Sequence, residues 1–268
     1  MAQKKIRVLV SGAAGRMGGE VVRAVCAQSD MEVVGGFDVK AKGEDVGEIS
    51  GAGRLGVRNE SDLRTALKLG KPDVVVDFTS SEGFEARAIE MLKFGCHLVV
   101  GTTGISQPII RKVAALAKRK KLGVIVAPNF AIGAVLMMKF AQQGAQYLPD
   151  MEIVELHHDR KADAPSGTAL RTAELAVEAK KKFPPRKDPT RLHKLEGCRG
   201  GTLGDISIHS VRLPGFLAHQ EVIFGGAGQT LTIRHDTTSR EAFMPGVIFA
   251  IRKVVTLRKF VVGLENLI

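Results

Sequence analysis

The segment Glu155–Leu170 reads ELHHDRKADAPSGTAL, with two adjacent histidines, a lysine and two aspartates ahead of Pro-Ser-Gly-Thr. Histidine changes charge nearest neutral pH, so His157 and His158 are candidates for proton transfer. The stretch MEIVELHH alternates as a strand does, which sends the two imidazoles to different partners, one a proton donor and one a substrate contact. Lys161 supplies an ammonium for an anion or a developing charge. Pro165 stiffens the entry to a helix, Ser166 or Thr168 can cap it, and Gly167 permits close approach of a ligand. The N–H groups of Ser166, Gly167 and Thr168 would then form a carboxylate cradle at the positive end of that helix. The same residues also suit a solvated basic loop before a capped helix, and composition alone does not separate the two readings. No metal is expected: adjacent histidines offer no joint chelating face, and Asp159 or Asp163 would have to complete the ligand set.

A second constellation lies near the start. GAAGRMG places Gly12, Gly15 and Gly18 directly after the strand-like IRVLVS and at the mouth of a helical pattern. Glycines there let the chain turn sharply and bring amides and a helix dipole against a pyrophosphate. The spacing is G-x-x-G-x-x-G, with Ala14 where a middle glycine often sits, and Asp38 ends the next strand-like run. Asp38 would accept hydrogen bonds from ribose hydroxyls, which suits NADH. Arg16 and Lys40 stand where a 2′-phosphate would be met, which suits NADPH. The expected cofactor is therefore NADH, NADPH or both. GTTG (Gly101–Gly104) and APNF (Ala127–Phe130) follow later strands, where a nicotinamide would lie, although ordinary loop chemistry gives the same motifs.

The elements that must hold these residues alternate in the first half. Apolar runs at Ile6–Gly12, Met31–Asp38, Pro72–Thr79, CHLVV and LGVIV are separated by helical patterns at Met17–Gln28, Glu82–Phe94 and Pro108–Lys121. Continuous Val/Ile/Leu strands between helices predict a parallel sheet covered on both faces. The expected fold class is α/β: an N-terminal Rossmann-like, doubly wound parallel sheet and a second, α+β domain with a mixed or antiparallel sheet. Residues 1–128 and 241–268 are assigned to the dinucleotide-binding domain, and residues 129–240 to a substrate-binding and oligomerisation domain. In the latter, a helix is expected at Thr168–Lys182, and DISIHSVRL, HQEVIFGG and QTLTIRHD read as neighbouring antiparallel strands. Between them FPPRKDPTRLHKLEGCRGG is too polar and rich in Pro and Gly for regular structure, and its length predicts a mobile functional loop. A last helix, about Ser239–Leu257, returns to the first domain.

Composition narrows the classes. The 268 residues are 44% hydrophobic and 25% charged, enough for one large core or two modest ones. No apolar run approaches the ~20 residues of a membrane span, and the N-terminus shows no signal or transit peptide, so a cytoplasmic protein is expected. Cys26, Cys96 and Cys198 fit neither a disulfide framework nor a zinc pattern. A net charge of +11 points to anionic partners: nucleic acid, phosphorylated cofactors or carboxylates. KRKK at 118–121 and KKK at 180–182 close helical patterns and read as solvated helix ends. With one tyrosine, no tryptophan and no helix-turn-helix segment, nucleic acid is not the expected partner.

EIVELHHDRKADAPSGTA (Glu152–Ala169) resembles the signature of the 4-hydroxy-tetrahydrodipicolinate (dihydrodipicolinate) reductase family. GAAGRMG, DFT at Asp77–Thr79, GTTG, APNF and GDISIHSVR (Gly204–Arg212) match it in order. The resemblance implies a nicotinamide-dependent enzyme of the diaminopimelate–lysine pathway acting on a cyclic imine dicarboxylate. It further implies His157 as proton donor/acceptor and Lys161 as catalytic lysine, with His158, Gly167 and Thr168 contacting substrate. Nucleotide contacts are implied at Gly12, Ala13, Ala14, Gly15, Arg16, Met17, Asp38, Gly101, Thr102, Thr103, Ala127, Pro128, Asn129 and Phe130. Family members often follow the acid at position 38 with an arginine for the 2′-phosphate, and here Val39 stands instead. The resemblance also implies a homotetramer assembled through sheets of the second domain. Rival readings are another nicotinamide dehydrogenase of this architecture and a redox-sensing protein that binds nucleic acid.

Overall fold

The computed structural model describes residues 4–268. The chain forms two compact units, Met1–Phe130 with Phe243–Ile268, and Ala131–Ala242.

The first unit alternates β1 (Ile6–Ser11), α1 (Arg16–Cys26), β2 (Met31–Phe37), α2 (Val46–Ser50), β3 (Asn59–Glu60) and α3 (Leu63–Gly70). It continues through β4 (Val74–Asp77), α4 (Phe84–Lys93), β5 (His97–Val100), α5 (Gln107–Lys120) and β6 (Val124–Val126). Its sheet has seven parallel strands, the last of them contributed from the C-terminal end of the chain, in the order β12-β6-β5-β4-β1-β2-β3, β12 being Phe260–Val262. The central strands are buried along their whole length, as VVVD of β4 and VIV of β6 show. Apolar stripes on the helices cover them: Phe84, Ala88, Met91 and Leu92 of α4 and Val113 and Ala117 of α5 join one core. The strand order reverses between β1 and β4, and the loops leaving the carboxyl ends of these strands are where an open α/β sheet takes a ligand.

In the second unit the chain order is α6 (Ile132–Gly144), β7 (Asp150–His157), α7 (Gly167–Ala179), β8 (Gly201–Leu203), β9 (Ile206–Arg212), β10 (Ala218–Gly226) and β11 (Gln229–Thr237). The sheet is mixed, in the order β11-β10-β7-β9-β8. This corrects one expectation: β9 and β10 are not neighbours. β7 lies between them, antiparallel to β10 and parallel to β9. The reason is α7, which carries the chain from β7 to the far edge of the sheet, where β8 runs antiparallel to β7 and turns back into β9, leaving β9 parallel to β7. Helices α6 and α7 pack on this sheet, against the face bearing Met151, Ile153, Val222 and Phe224, all buried. The other face presents the half-buried Val154, Leu156, Val211 and Ile223.

Other differences have local causes. The last helix, α8 (Met244–Val254), is shorter than expected because Arg240–Phe243 forms a 3-10 turn and a proline enters the first α turn. Lys118, Arg119 and Lys120 do end α5 exposed. Lys180, by contrast, is buried, its ammonium 2.8 Å from Asp205 and 2.6 Å from the Pro149 carbonyl. Full pairing is what allows such a charge inside. Residues 184–200 have neither helix nor strand, and Arg186 and Arg199 from this stretch both pair with Glu152.

Candidate active site

In the first unit the glycine loop is shaped by steric necessity. Gly12 has φ +88°, and a Cβ there would lie 2.8 Å from the Phe78 carbonyl oxygen. A Cβ on Gly18 would run into the Gly12 carbonyl, so this glycine sets how closely α1 packs on β1. Gly15 caps α1 with extended backbone and no side chain, and Gly15 and Arg16 are exposed with Met17 half-buried. Amides in the first turn of a helix have no intrahelical acceptor, so the start of α1 is fitted to an anion.

Asp38 follows β2. Its carboxylate accepts from the Ala14 amide at 3.1 Å and the Lys40 amide at 3.0 Å, which ties the ribose-side acid to the glycine loop. Behind it Asn59 is fully buried, and its Nδ2 reaches the carbonyls of Asp38, Lys40 and Ala41. Val39 is 75% exposed and Lys40 is exposed too.

Gly101, Thr102 and Thr103 follow β5, and Ala127, Pro128, Asn129 and Phe130 follow β6. Side chains of several of these residues face inward, leaving the backbone as the usable part. Ala13 and Ala127 are buried, and Phe130 is buried beside Phe78 with ring centroids 5.7 Å apart. Thr102 is buried and bonds Asp77 at 2.5 Å. Asp77 also holds Ser11 at 2.8 Å and Thr79 at 2.9 Å, and Arg87 lies 3.7 Å away. This buried carboxylate links three of the loops at the carboxyl edge of the sheet. Such a glycine cradle, acid and sheet edge fit a dinucleotide.

In the second unit, the end of β7 and the start of α7 bring the opening segment together. Residues i and i+2 of a strand share a face, so Glu155 and His157 meet: His157 Nδ1 is 2.5 Å from Glu155 Oε2. Glu155 has no solvent exposure. Burial pushes its carboxyl up, but the bonds from His157, Arg212 and Ser210 prevail and hold it down at about 2. Arg212, at the end of β9, grips both carboxylate oxygens at 2.9 and 2.7 Å and also donates to the Asp163 carbonyl at 2.9 Å. His158, just past the strand, has a buried Nδ1 with no hydrogen-bond partner.

Two expectations change here. The Ser166 amide is not free: it donates to Glu155 at 3.2 Å, and the residue is buried. Its hydroxyl caps α7 by accepting from the Ala169 amide. Ser166 is therefore scaffold, and Gly167 and Thr168 are the first two residues of α7. Gly167 is exposed, with open space where a Cβ would stand. Lys161, expected as a mobile donor, is paired with Asp163 at 2.6 Å. That pairing holds Asp163 below the usual carboxylate range.

Sequence reasoning assigned no role to Glu155, Arg212, Asp77 or Asn59. The signal available was the acid two residues before His157 on a strand; Arg212 lies too far along the chain to be paired with it by pattern. No group of three or more potential metal ligands occurs among the described residues.

A sequence model described as dihydrodipicolinate reductase, N-terminus, matches residues 6–130, and its C-terminus counterpart matches residues 133–268. The chain belongs to the dihydrodipicolinate reductase family. It is 49% identical over 266 residues to the 4-hydroxy-tetrahydrodipicolinate reductase of Syntrophomonas wolfei, covering 99% of this chain and 100% of that one. The protein of that name from Desulfitobacterium hafniense is 51% identical over 264 residues, 98% of each. Among solved structures, the dipicolinate-bound dihydrodipicolinate reductase of Paenisporosarcina sp. TG-14 superposes with a TM-score of 0.85 at 43% identity, covering 98% of this chain and 100% of that one. The two-unit, two-sheet architecture is thus that of dihydrodipicolinate reductases.

Proposed function

We propose that this chain reduces 4-hydroxy-tetrahydrodipicolinate to tetrahydrodipicolinate with NADH or NADPH, a step toward diaminopimelate and lysine. The observation that carries the reading is the histidine–carboxylate pair beside an open helix start, in a chain matching the reductases from end to end. Dipicolinate in the Paenisporosarcina structure is a flat ring dicarboxylate, which supports a substrate of that shape here.

Gly12 to Met17, Asp38 and Lys40, Gly101 to Thr103 and Ala127 to Phe130 would hold the dinucleotide. When bound, it supplies the hydride. His157 supplies the proton at the substrate position that becomes anionic, through the ring nitrogen that Glu155 does not engage. Lys161 stabilises the charge, and Asp163 keeps its ammonium in place. Gly167 and Thr168 grip one carboxylate and His158 contacts the ring, which is where orientation gains arise. Proton donation of this kind contributes on the order of 10²–10⁴-fold.

We assign both cofactors to the site, because Asp38 suits a ribose diol while Arg16 and Lys40 add positive charge nearby. We also assign a homotetramer, supported by the half-buried Val154, Leu156, Val211 and Ile223 on the sheet face away from α6 and α7. The expected compartment is the cytoplasm; no helix is long and apolar enough to cross a membrane among the described residues. The test is oxidation of NADH and NADPH in the presence of synthase-generated substrate. Near-wild-type turnover in both His157→Gln and Lys161→Ala would overturn the residue assignments.

A further inference from the structure

We infer that Glu155 is a positioning residue for proton transfer: it fixes the His157 imidazole with its proton on Nδ1 and presents Nε2 to the substrate. The inference rests on the reading of His157 as proton donor.

The geometry decides the direction of the bond. Arg212 donates to both Glu155 oxygens and the Ser166 amide to one of them, an arrangement that holds a carboxylate with only acceptor sites, so the hydrogen in the 2.5 Å contact comes from His157 Nδ1. A neutral imidazole carries one N–H, so this bond places the lone pair on Nε2. During donation the imidazolium Nε2–H bond breaks and its electron pair stays on the ring. The proton passes to the substrate, and Nδ1–H stays hydrogen-bonded to a carboxylate that never takes it. A buried carboxylate behind a histidine performs this service in hydrolases by holding tautomer and orientation.

The carboxylate is itself immobilised from β9 and from the start of α7. Arg212 on β9 holds both oxygens, the Ser210 side chain on the same strand adds a hydrogen bond, and the Ser166 amide donates from the start of α7. Three groups on a fully buried side chain leave it one orientation. The charged groups joined to His157 through Glu155 are Arg212 and, beyond it, Asp163 and Lys161. Arg212 also reaches the Asp163 carbonyl, so the carboxylate, the imidazole and the Lys161–Asp163 turn form one hydrogen-bonded assembly. A sequence requirement follows: an acid two residues before the histidine on the same strand face, and an arginine at the end of the parallel neighbour, where Arg212 pairs in register with His157.

The test is nitrogen-15 NMR of histidine-labelled enzyme at alkaline pH, joined to kinetics of Glu155→Gln and Glu155→Asp. The wild type should show His157 as the Nδ1–H tautomer. In Glu155→Gln, whose amide can donate to Nδ1, the Nε2–H form should appear. There kcat should fall about 10- to 100-fold, part of what a general acid contributes, with the NADH dissociation constant unchanged. Glu155→Asp should restore part of kcat and of the tautomer signal. An Nε2–H signal in the wild type, or a kcat within about two-fold in Glu155→Gln, would overturn the inference. If Glu155→Gln does not fold, the wild-type spectrum and Glu155→Asp decide in the same way. Full turnover in His157→Gln would remove the catalytic role while leaving the tautomer result intact, so the two failures are distinct.

Discussion

Arg212 and Glu155 meet through two N–H···O bonds of 2.9 and 2.7 Å, and the carboxylate they close on has no exposure to solvent. The two residues are 57 positions apart in sequence and are brought together by the parallel pairing of β7 and β9. The arrangement ties the end of β7 to β9.

Removing one member should therefore cost more than removing both. Arg212→Met leaves a carboxylate buried without a cation, and such a loss costs about 3–5 kcal/mol. Arg212→Met combined with Glu155→Gln removes the stranded charge as well. Denaturant unfolding at neutral pH should show the double variant more stable than Arg212→Met alone, a coupling that independent sites would not give.

The same carboxylate predicts an acid response. Its folded pKa is depressed from 4.5 to about 2, so the unfolded chain binds the proton more tightly. The stabilisation is then fully present above about pH 5 and is lost as pH falls toward about 2. The stability difference between wild type and Glu155→Gln should shrink as pH falls across that window, on the order of a few kcal/mol in total. A difference that is independent of pH would contradict the assignment.

How much of this was legible beforehand follows from the range of the interactions. Ile6–Gly12 and Gly12–Gly18 announce strand and turn because burial and glycine sterics act locally. The short elements α2 and β3 do not, since five and two residues carry no readable period. Asp45 caps α2 through the amides of Gly47 and Glu48 and also gathers the amides of Leu55, Gly56 and Val57 from beyond it, while β3 is held by its pairing with β2. The place of β7 between β9 and β10 depends on a crossover that turn residues do not encode. At the site, His157, Lys161 and Gly167 stood out as residue types able to do chemistry. The reassignment of Ser166 to scaffold needed the fold, because only sheet and helix together bring Glu155 to its amide.

Cofactor choice is open to a single exchange. Val39 is 75% exposed beside Asp38, so an arginine there meets no core and disturbs no packing. Val39→Arg would add a charge-assisted donor for a 2′-phosphate, worth roughly a tenfold gain. The KM for NADPH should fall by about that factor, with the value for NADH little changed. Equal shifts for both cofactors would place the side chain elsewhere.

Gly167 and Gly18 separate ligand access from packing. A methyl group at Gly18 collides with the Gly12 carbonyl, so Gly18→Ala should lose both thermal stability and dinucleotide binding. At Gly167 a methyl meets nothing within 4 Å, and the position is the first of α7. Alanine is the better helix residue, so Gly167→Ala should melt no lower than the wild type. The added methyl would, however, stand where a substrate carboxylate must approach the amides. The KM for the imine substrate should rise about tenfold or more, since a close approach lost costs at least one good hydrogen bond to a charge. Binding of NADH, followed by its fluorescence, should be unchanged. An unchanged substrate KM would remove Gly167 from the carboxylate grip and leave Lys161 and His158 to supply it.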